Sequence, residues 1–451
     1  MSAAAATASV MPGLAPEGGD LGYLLDEAPA FTIKRTTGTN TWEMRLDCAK
    51  LGNVEIGGQV LRNTLLEVFR YYKLLTQMVD AGQTPELVFV MDNVRRDRLP
   101  YPGLKDVHIS CLQAAAEIFE LTPLGTWEVG AMTAGFVLKG ITPKTTKIVI
   151  PGYSPQSTSL IIQAVLPLVF EFGTPGVEYT LDIGGMTNPA RAPTTNYIRA
   201  LVAKLGLQGV SIVDIKPMPF YRGAKPADGK KHELYPAAGH TRLTVVPGAG
   251  VAPFSFLKAP EDKQVVITLT TFLATNAKED DKGDMAALVA KIGELCSEKG
   301  YTFNTPVEIK GKALPPGATV SVRVGDQTFE NSIFTAAFTS WKTKEPKAPF
   351  SEVIIPFVLN LLNKALPFQA AGVACNEYEQ DQFIQWALLA SGESTFTTNA
   401  LSEHTKALRA LYKVLYGADL IEVVALPSGG FKITCKGADW VQERMLKMLK
   451  Q

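Results

Sequence analysis

Four histidines occur in the 451-residue chain, and one of them, His404, follows a segment in which Tyr378, Asp381 and Gln382 stand close together. Those residue types suit covalent catalysis by an imidazole: a carboxylate fixes its tautomer, while amide and phenol groups hold a ligand over it. The same spacing also suits Asp381 and Gln382 as helix caps with His404 on the surface of the next helix. On spacing alone that plainer reading is the stronger.

Three further clusters could bind phosphate. Glu55 precedes Gly57, Gly58, Gln59 and Arg62; a carboxylate, a turn without side chains and a helix start can hold a phosphate or its metal ion, although a simple strand-to-helix turn explains the glycines equally well. Arg95, Arg96 and Arg98 lie just ahead of Pro102, Gly103, Leu104, Lys105 and His108. Guanidinium forks match phosphate oxygens, so this is a compact phosphate site or else a solvated basic loop, with His108 structural in either case. Residues 184–198, GGMTNPARAPTTNYI, read as a turn followed by a threonine cap, Thr194 or Thr195, and less strongly as a loop lining a cleft. The chain has no GxxxxGK[ST], GxSxG, HExxH or kinase motif set.

Forty-four basic residues balance forty-four acidic ones, so no global field draws the chain to nucleic acid or an anionic membrane, and any such contact is a local patch. The five cysteines are dispersed, with no CxxC and no Cys/His pair at metal-ligand spacing, which fits reduced thiols. The first twenty residues lack a signal peptide's basic and apolar regions and read as part of a disordered tail over residues 1–30. The most apolar window, SLIIQAVLPLVFEFG, is too short to span a bilayer, so no membrane segment is expected.

The elements that must position these clusters alternate between strand and helix. Leu61, Leu65, Val68, Phe69, Tyr72, Leu75 and Val79 recur at helical spacing ahead of Gly82. Further helices are expected at 109–121, 159–170, 194–205, 285–299, 351–366, 381–390 and 403–415. Strands are expected at 42–46, 86–91, 135–139, 147–150, 177–183, 210–215, 265–269, 319–324, 421–425 and 430–435. The stretch from Tyr221 to His240 reads as an exposed loop and KEDDKGD as an acidic turn. The order gives an α/β fold: a body of repeated βαβαββ-type units over residues 31–252 and 338–451, with helices packed on sheets, and a smaller inserted α/β domain over 253–337.

Taken in order, the clusters resemble motifs of the RNA 3′-terminal phosphate cyclase family over most of residues 45–445. EIGGQVLR is similar to the family's EGGGQxLR, RRDRLPYPGLKDVH to its RxxRxxPGLxxQH with one extra residue, and STSLIIQAVLP to its Gln-bearing apolar helix. GGMTNPARAP is similar to GGTDNPxAPP and EYEQDQ to EYxxDQ, with a histidine at about the family's interval. The departures are Ile56 for the first glycine, Val107 for a glutamine, Thr187 for an aspartate, PGYSPQS for a glycine-rich segment, and a split RGxxPxGGG.

The resemblance implies an ATP-dependent cyclase. His404 attacks the α-phosphate of ATP, AMP passes to an RNA 3′-phosphate end, and the adjacent 2′-hydroxyl displaces it to leave a 2′,3′-cyclic phosphate. It implies that Asp381 orients His404, that Tyr378, Gln382, Gln163 and Pro193 line the adenosine pocket, that Glu55 helps hold phosphate or metal, and that Arg95 and Arg98 hold the triphosphate or the RNA phosphate. Mg²⁺ or Mn²⁺ accompanies ATP, the insert stands away from the nucleotide, and the location is the nucleus or the cytoplasm. The family also contains cyclase-like proteins that lack the histidine and act in 18S rRNA processing and small-subunit assembly within a pre-ribosomal complex. The altered glycine loops lean towards that branch; Tyr378, Asp381, Gln382 and His404 lean towards the enzyme.

Overall fold

A computed structural model of the chain describes residues 29–51, 58–80, 82–97, 100, 102–152, 156–189, 193–217, 239–258, 264–311, 317–334, 350–427 and 429–450. The expected tail, apart from its last two residues, Glu55, Arg98 and most of the expected loop from Tyr221 to His240 lie outside the described residues.

One strand–helix plan occurs three times. The first unit contains β1 (Phe31–Arg35), β2 (Thr41–Asp47), α1 (Gly58–Met78), β3 (Glu86–Asp92), α2 (Asp106–Ile118), β4 (Glu120–Pro123) and β5 (Ala134–Gly140). The second contains β6 (Lys147–Ile150), α3 (Thr158–Phe172), β7 (Tyr179–Gly184), α4 (Thr195–Lys204), β8 (Val210–Lys216) and β9 (His240–Val245). The third opens with β10 (Ser255–Phe256) and is then interrupted. Between β10 and its continuation lie β11 (Val265–Ala274), α5 (Glu279–Lys299), β12 (Thr302–Phe303), β13 (Val307–Gly311), β14 (Gly317–Val324), β15 (Gln327–Phe334) and α6 (Phe350–Ala371). The third unit resumes with α7 (Gln380–Ala387), β16 (Ser394–Thr398), α8 (Glu403–Tyr416), β17 (Ile421–Ala425) and β18 (Phe431–Cys435), and α9 (Ala438–Leu449) closes the chain.

The three sheets share one connectivity: β2-β3-β5-β4 with β1 added at the edge, β6-β7-β9-β8, and β10-β16-β18-β17. In each, the first pair is parallel and the remaining pairs are antiparallel. A parallel pair needs a crossover, and here a helix supplies it. The repetition inferred from element order is therefore a repetition of topology.

One apolar core runs through all three units, with Leu66, Phe69, Ile162, Leu168, Phe383 and Leu408 fully buried in it. Each such side chain contributes roughly 1.5–3 kcal/mol on leaving water. A second core joins Ile267, Leu288 and Val320 of the insert to Ile354, Val358 and Ala365 of α6. The insert's core thus reaches past residue 337 and takes in a helix that sequence reasoning placed with the body.

Elsewhere tertiary pairing moved several boundaries. Helix α2 stops at Ile118 rather than Leu121, because Phe119 turns extended and Glu120–Pro123 pairs with β5. KEDDKGD is mostly helix: α5 begins at Glu279, and Glu279, Asp280 and Asp281 in its first turn complement the positive end of the helix dipole. β11 continues to Ala274 because β13 pairs with its second half. Strands β9 and β15 carried no separate sequence signal. No helix among the described residues is long and apolar enough to cross a membrane.

Candidate active site

The first helix of each unit delivers one glutamine to a common point. Gln382 Nε2 of α7 donates to Gln59 Oε1 of α1 at 3.2 Å and to Gln163 Oε1 of α3 at 3.3 Å. Gln59 Nε2 in turn donates to the Asp381 carbonyl at 3.3 Å, and Arg62 donates to Gln59 Oε1. Gln59, Arg62, Gln163, Asp381 and Gln382 are all at most 5% exposed. Buried polar groups must find partners, so the helices are locked in one relative register.

The start of α7 follows from local capping. Asn376 Oδ1 accepts from the backbone N–H of Tyr378 and Glu379, turning the chain into the helix and leaving Asp381 in its first turn. Helix α8 begins at a serine cap, with Ser402 Oγ accepting from Thr405 N at 3.1 Å. Gln380 joins the two starts. Its Oε1 accepts from Ser402 N at 3.1 Å and from the Thr405 hydroxyl at 2.9 Å, and its Nε2 donates to Thr398 Oγ1 and the Ala400 carbonyl, each at 2.7 Å.

That clamp sets His404 against Asp381. The imidazole Nδ1 lies 3.3 Å from Asp381 Oδ2, with the His404 side chain 48% exposed and that of Asp381 only 5%. A carboxylate at Nδ1 favours the proton there, which makes Nε2 the nitrogen that carries the nucleophilic lone pair. Both residues line a cavity of about 450 Å³ together with Arg62, Leu160, Gln163, Pro193, Tyr197, Thr328, Glu330, Tyr378 and Gln382. The volume is in the range of small-ligand sites.

Of the residues chosen from sequence, Gln163, Pro193, Tyr378, Asp381, Gln382 and His404 thus share one cavity. Arg95 is not among its lining residues. It is buried, with Nη1 donating to the Gly103 carbonyl at 3.2 Å and a backbone φ of +50°. His108 feels the charge of both Arg95 and Arg62: its Nδ1 accepts from Lys105 N at 3.1 Å, and burial, reinforced by Arg95, Arg62 and Lys105, pushes its pKa down to about 3. It is therefore neutral, and the cationic charge here belongs to the arginines. Burial also pulls the pKa of Arg62 down, with Cys111 and Asp381 opposing. Arg62 lines the cavity, and its Nε is buried with no hydrogen-bond partner.

Sequence reasoning placed Arg62 beside the glycines without assigning it to the site. It passed over Gln380, Tyr197, Thr328 and Glu330. The last two correct one expectation: the insert does not stand away from the chosen residues, since β15 forms part of the same cavity wall. Glu330 receives a hydrogen bond from the Thr194 hydroxyl, and burial pushes its pKa up to about 7, with Thr194, Arg199 and the Tyr197 backbone opposing. Thr194 also caps α4, as its sequence context suggested, accepting from Asn196 N and Tyr197 N.

The sequence profile of the family described as RNA 3′-terminal phosphate cyclase matches residues 86–420. This chain belongs to that family. A relative described as RNA 3′-terminal phosphate cyclase, from Caldivirga maquilingensis, is 23% identical over 374 residues, which cover 81% of this chain and 91% of the relative. The matched span includes Gln163, Pro193 and the whole segment from Tyr378 to His404, so the cavity is built largely from family-matched sequence.

Proposed function

We propose that this member of the cyclase family is an active, ATP-dependent RNA 3′-terminal phosphate cyclase with His404 as its nucleophile. The observation that carries the reading is the Asp381–His404 pair at 3.3 Å opening onto the cavity that Arg62 also lines. Imidazole Nε2 attacks the α-phosphorus of ATP, a P–N bond forms, and pyrophosphate departs. As the nitrogen gives up its lone pair the ring becomes cationic, and the Asp381 carboxylate stabilises that charge. An oxygen of the RNA 3′-phosphate then attacks the same phosphorus, which breaks the P–N bond and restores the imidazole. The neighbouring 2′-hydroxyl gives its proton to solvent and attacks the RNA phosphorus; AMP leaves and the 2′,3′-cyclic phosphate remains.

In this reading Tyr378 and Pro193 flank the adenosine, Gln163 and Gln382 offer amide groups to it, and Arg62 contacts phosphate. In the same reading Arg95, Arg98 and Glu55 serve the phosphates. Among the described residues no group of three or more His, Cys, Asp or Glu side chains is placed to hold a metal ion. In this reading the Mg²⁺ or Mn²⁺ comes with the triphosphate, Glu55 helps to hold phosphate or metal, and no step above is routed through the ion. A nuclear location goes with the reading, checked by imaging the tagged chain.

Incubation with α-labelled ATP and Mg²⁺ should give an acid-labile adenylate on the protein, and RNA ending in a 3′-phosphate should discharge it as a cyclic end. Wild-type protein that is folded but never labels would overturn the enzyme. The role in small-subunit assembly would then be tested by asking whether depletion impairs 18S rRNA processing.

A further inference from the structure

The insert's sheet has two unlike faces. On β14 and β15, Ala318, Val320, Val322 and Phe329 point into the second core. The alternate positions are Thr319 and Ser321 on β14 and Thr328, Glu330 and Ser332 on β15, with Ser321 opposite Glu330 and Thr319 opposite Ser332. Side chains two apart on a strand share a face, and Thr328 and Glu330 both line the cavity. That face is fastened to the body: Asn188 Nδ2 donates to Thr319 Oγ1 at 3.4 Å and Thr194 donates to Glu330, while at the start of β15 Asn376 Nδ2 donates to Gln327 Oε1 at 3.3 Å. Lys204 Nζ adds an ion pair with Asp326 Oδ2 at 3.1 Å. The insert therefore supplies a fixed wall, and Glu330 is the carboxyl it brings to the cavity.

We infer that Glu330 reads the hydrogen-bonding edge of the nucleotide's base, so that the insert sets which nucleotide the site accepts. The inference rests on the nucleotide reading above. Leu160, Pro193, Tyr197 and Tyr378 give the cavity apolar and aromatic surface suited to a flat ring, and a carboxyl at such a wall pairs with the ring's edge. A protonated carboxyl donates to adenine N1 and accepts from its N6 amino group. An ionised carboxylate only accepts, and it matches the paired donors N1–H and N2–H of guanine. Because burial lifts Glu330 to a pKa of about 7, the protonated form predominates below that pH and favours adenine.

The groups facing Glu330 do not reverse this. From α4, Arg199 favours ionisation through space and the Tyr197 backbone donates to the carboxylate. From the α7 and α8 starts come Asp381 and His404, from α1 comes Arg62, and the Tyr197 phenol of α4, coupled to Glu330 through space, and Tyr378 complete the titratable set on the cavity wall. Ser321, opposite on β14, does not titrate. The ATP preference should therefore weaken as pH rises through about 7.

Equilibrium binding of ATP and GTP to the full chain at pH 6 and pH 8 tests this, with label on His404 recorded in parallel. Wild type should favour ATP at least about tenfold at pH 6 and less at pH 8. Glu330→Met should bring the ratio close to one, and Glu330→Gln, whose amide imitates the protonated acid, should restore it and make it independent of pH. Glu330→Asp, which keeps the charge but shortens the reach, should lose discrimination too, so the test does not depend on one variant folding. Unchanged ratios in folded Met and Asp variants that still label would overturn base reading by Glu330 and leave the cyclase intact. A wild type that neither binds nor labels would overturn both.

Discussion

Two polar clusters join α1 to the third unit, and they differ in whether they are closed. Midway along α1, Glu67 is fully buried; it accepts from the Tyr416 hydroxyl and from Arg70, while Asn63 Oδ1 accepts from the Tyr412 hydroxyl at 2.7 Å. Tyr71 donates to the Leu415 carbonyl at 2.9 Å, and the Tyr412 and Tyr416 rings stack at 6.1 Å. At the N-terminal end of the same helix, Arg62 keeps a donor without a partner and Asp381 faces a half-exposed histidine. The closed cluster spends its polarity on holding helices together. The open one holds polarity in reserve at a cavity, which is what a site for a charged ligand requires.

The largest effect should come from breaking the open cluster. His404→Ala is expected to reduce adenylate labelling by at least about a thousandfold, equivalent to about 4 kcal/mol, because no other side chain replaces the nucleophile. Its unfolding free energy should fall by no more than about 1–2 kcal/mol, since the imidazole is half exposed but its loss takes a partner from the buried Asp381 carboxyl. Mass spectrometry of the adenylate and denaturant melts measure the two; label surviving in the variant would place the nucleophile elsewhere.

The mirror experiment breaks the closed cluster. Burial raises the pKa of Glu67 while Arg70 and the tyrosine hydroxyls oppose that rise, and removing the carboxyl takes from the buried Arg70 guanidinium its ion-pair partner. Glu67→Ala should cost about 3–5 kcal/mol of stability and leave labelling per folded molecule unchanged. A fall in labelling beyond the unfolded fraction would show that the two clusters are coupled along α1.

Gln380 lies between the two cases: fully buried and satisfied, yet responsible for where His404 stands. Gln380→Leu leaves Ser402 N, the Thr405 and Thr398 hydroxyls and the Ala400 carbonyl short of a partner, so a loss of about 2–3 kcal/mol is expected. As a positioning residue it should also lower the labelling rate at saturating ATP more than it raises the ATP concentration needed for half-maximal rate. The opposite split would make it a contact to the nucleotide.

What the sequence revealed and what it hid follow from the range of the interactions. The helices that present Gln59, Gln163, Gln382 and His404 have local apolar periodicity and local caps such as Ser402, so their existence and order could be read directly. The repeat could be read as order but not as identity, because only strand connectivity is shared. Glu330 and Thr328 could not be found that way. They sit on a strand whose alternation separates the insert's own core from a face covered by a distant unit, and nothing within a few residues announces that cover. Gln380 was hidden differently: its partners are more than a dozen residues ahead, and a glutamine in a helix is an ordinary surface residue until the fold buries it.

The smallest expected effect concerns Glu330, and its sign separates the wall of the open cavity from the closed cluster. The carboxyl has a folded-state pKa of about 7 against an ordinary 4.5, so the folded chain holds this proton more tightly than the unfolded one. Its contribution is fully present below about 4.5 and is lost as pH rises through about 7. Glu330→Gln cannot ionise and should gain stability relative to wild type between pH 5 and pH 8. The full shift would allow more, but the side chain opens on a cavity that water can enter, so about 1–2 kcal/mol is expected. Denaturant melts of both proteins at the two pH values give the difference directly, and any fixed cost of the substitution cancels. A constant offset would mean that Glu330 ionises without penalty where it stands. The protonated form that pairs with adenine would then lose its physical basis.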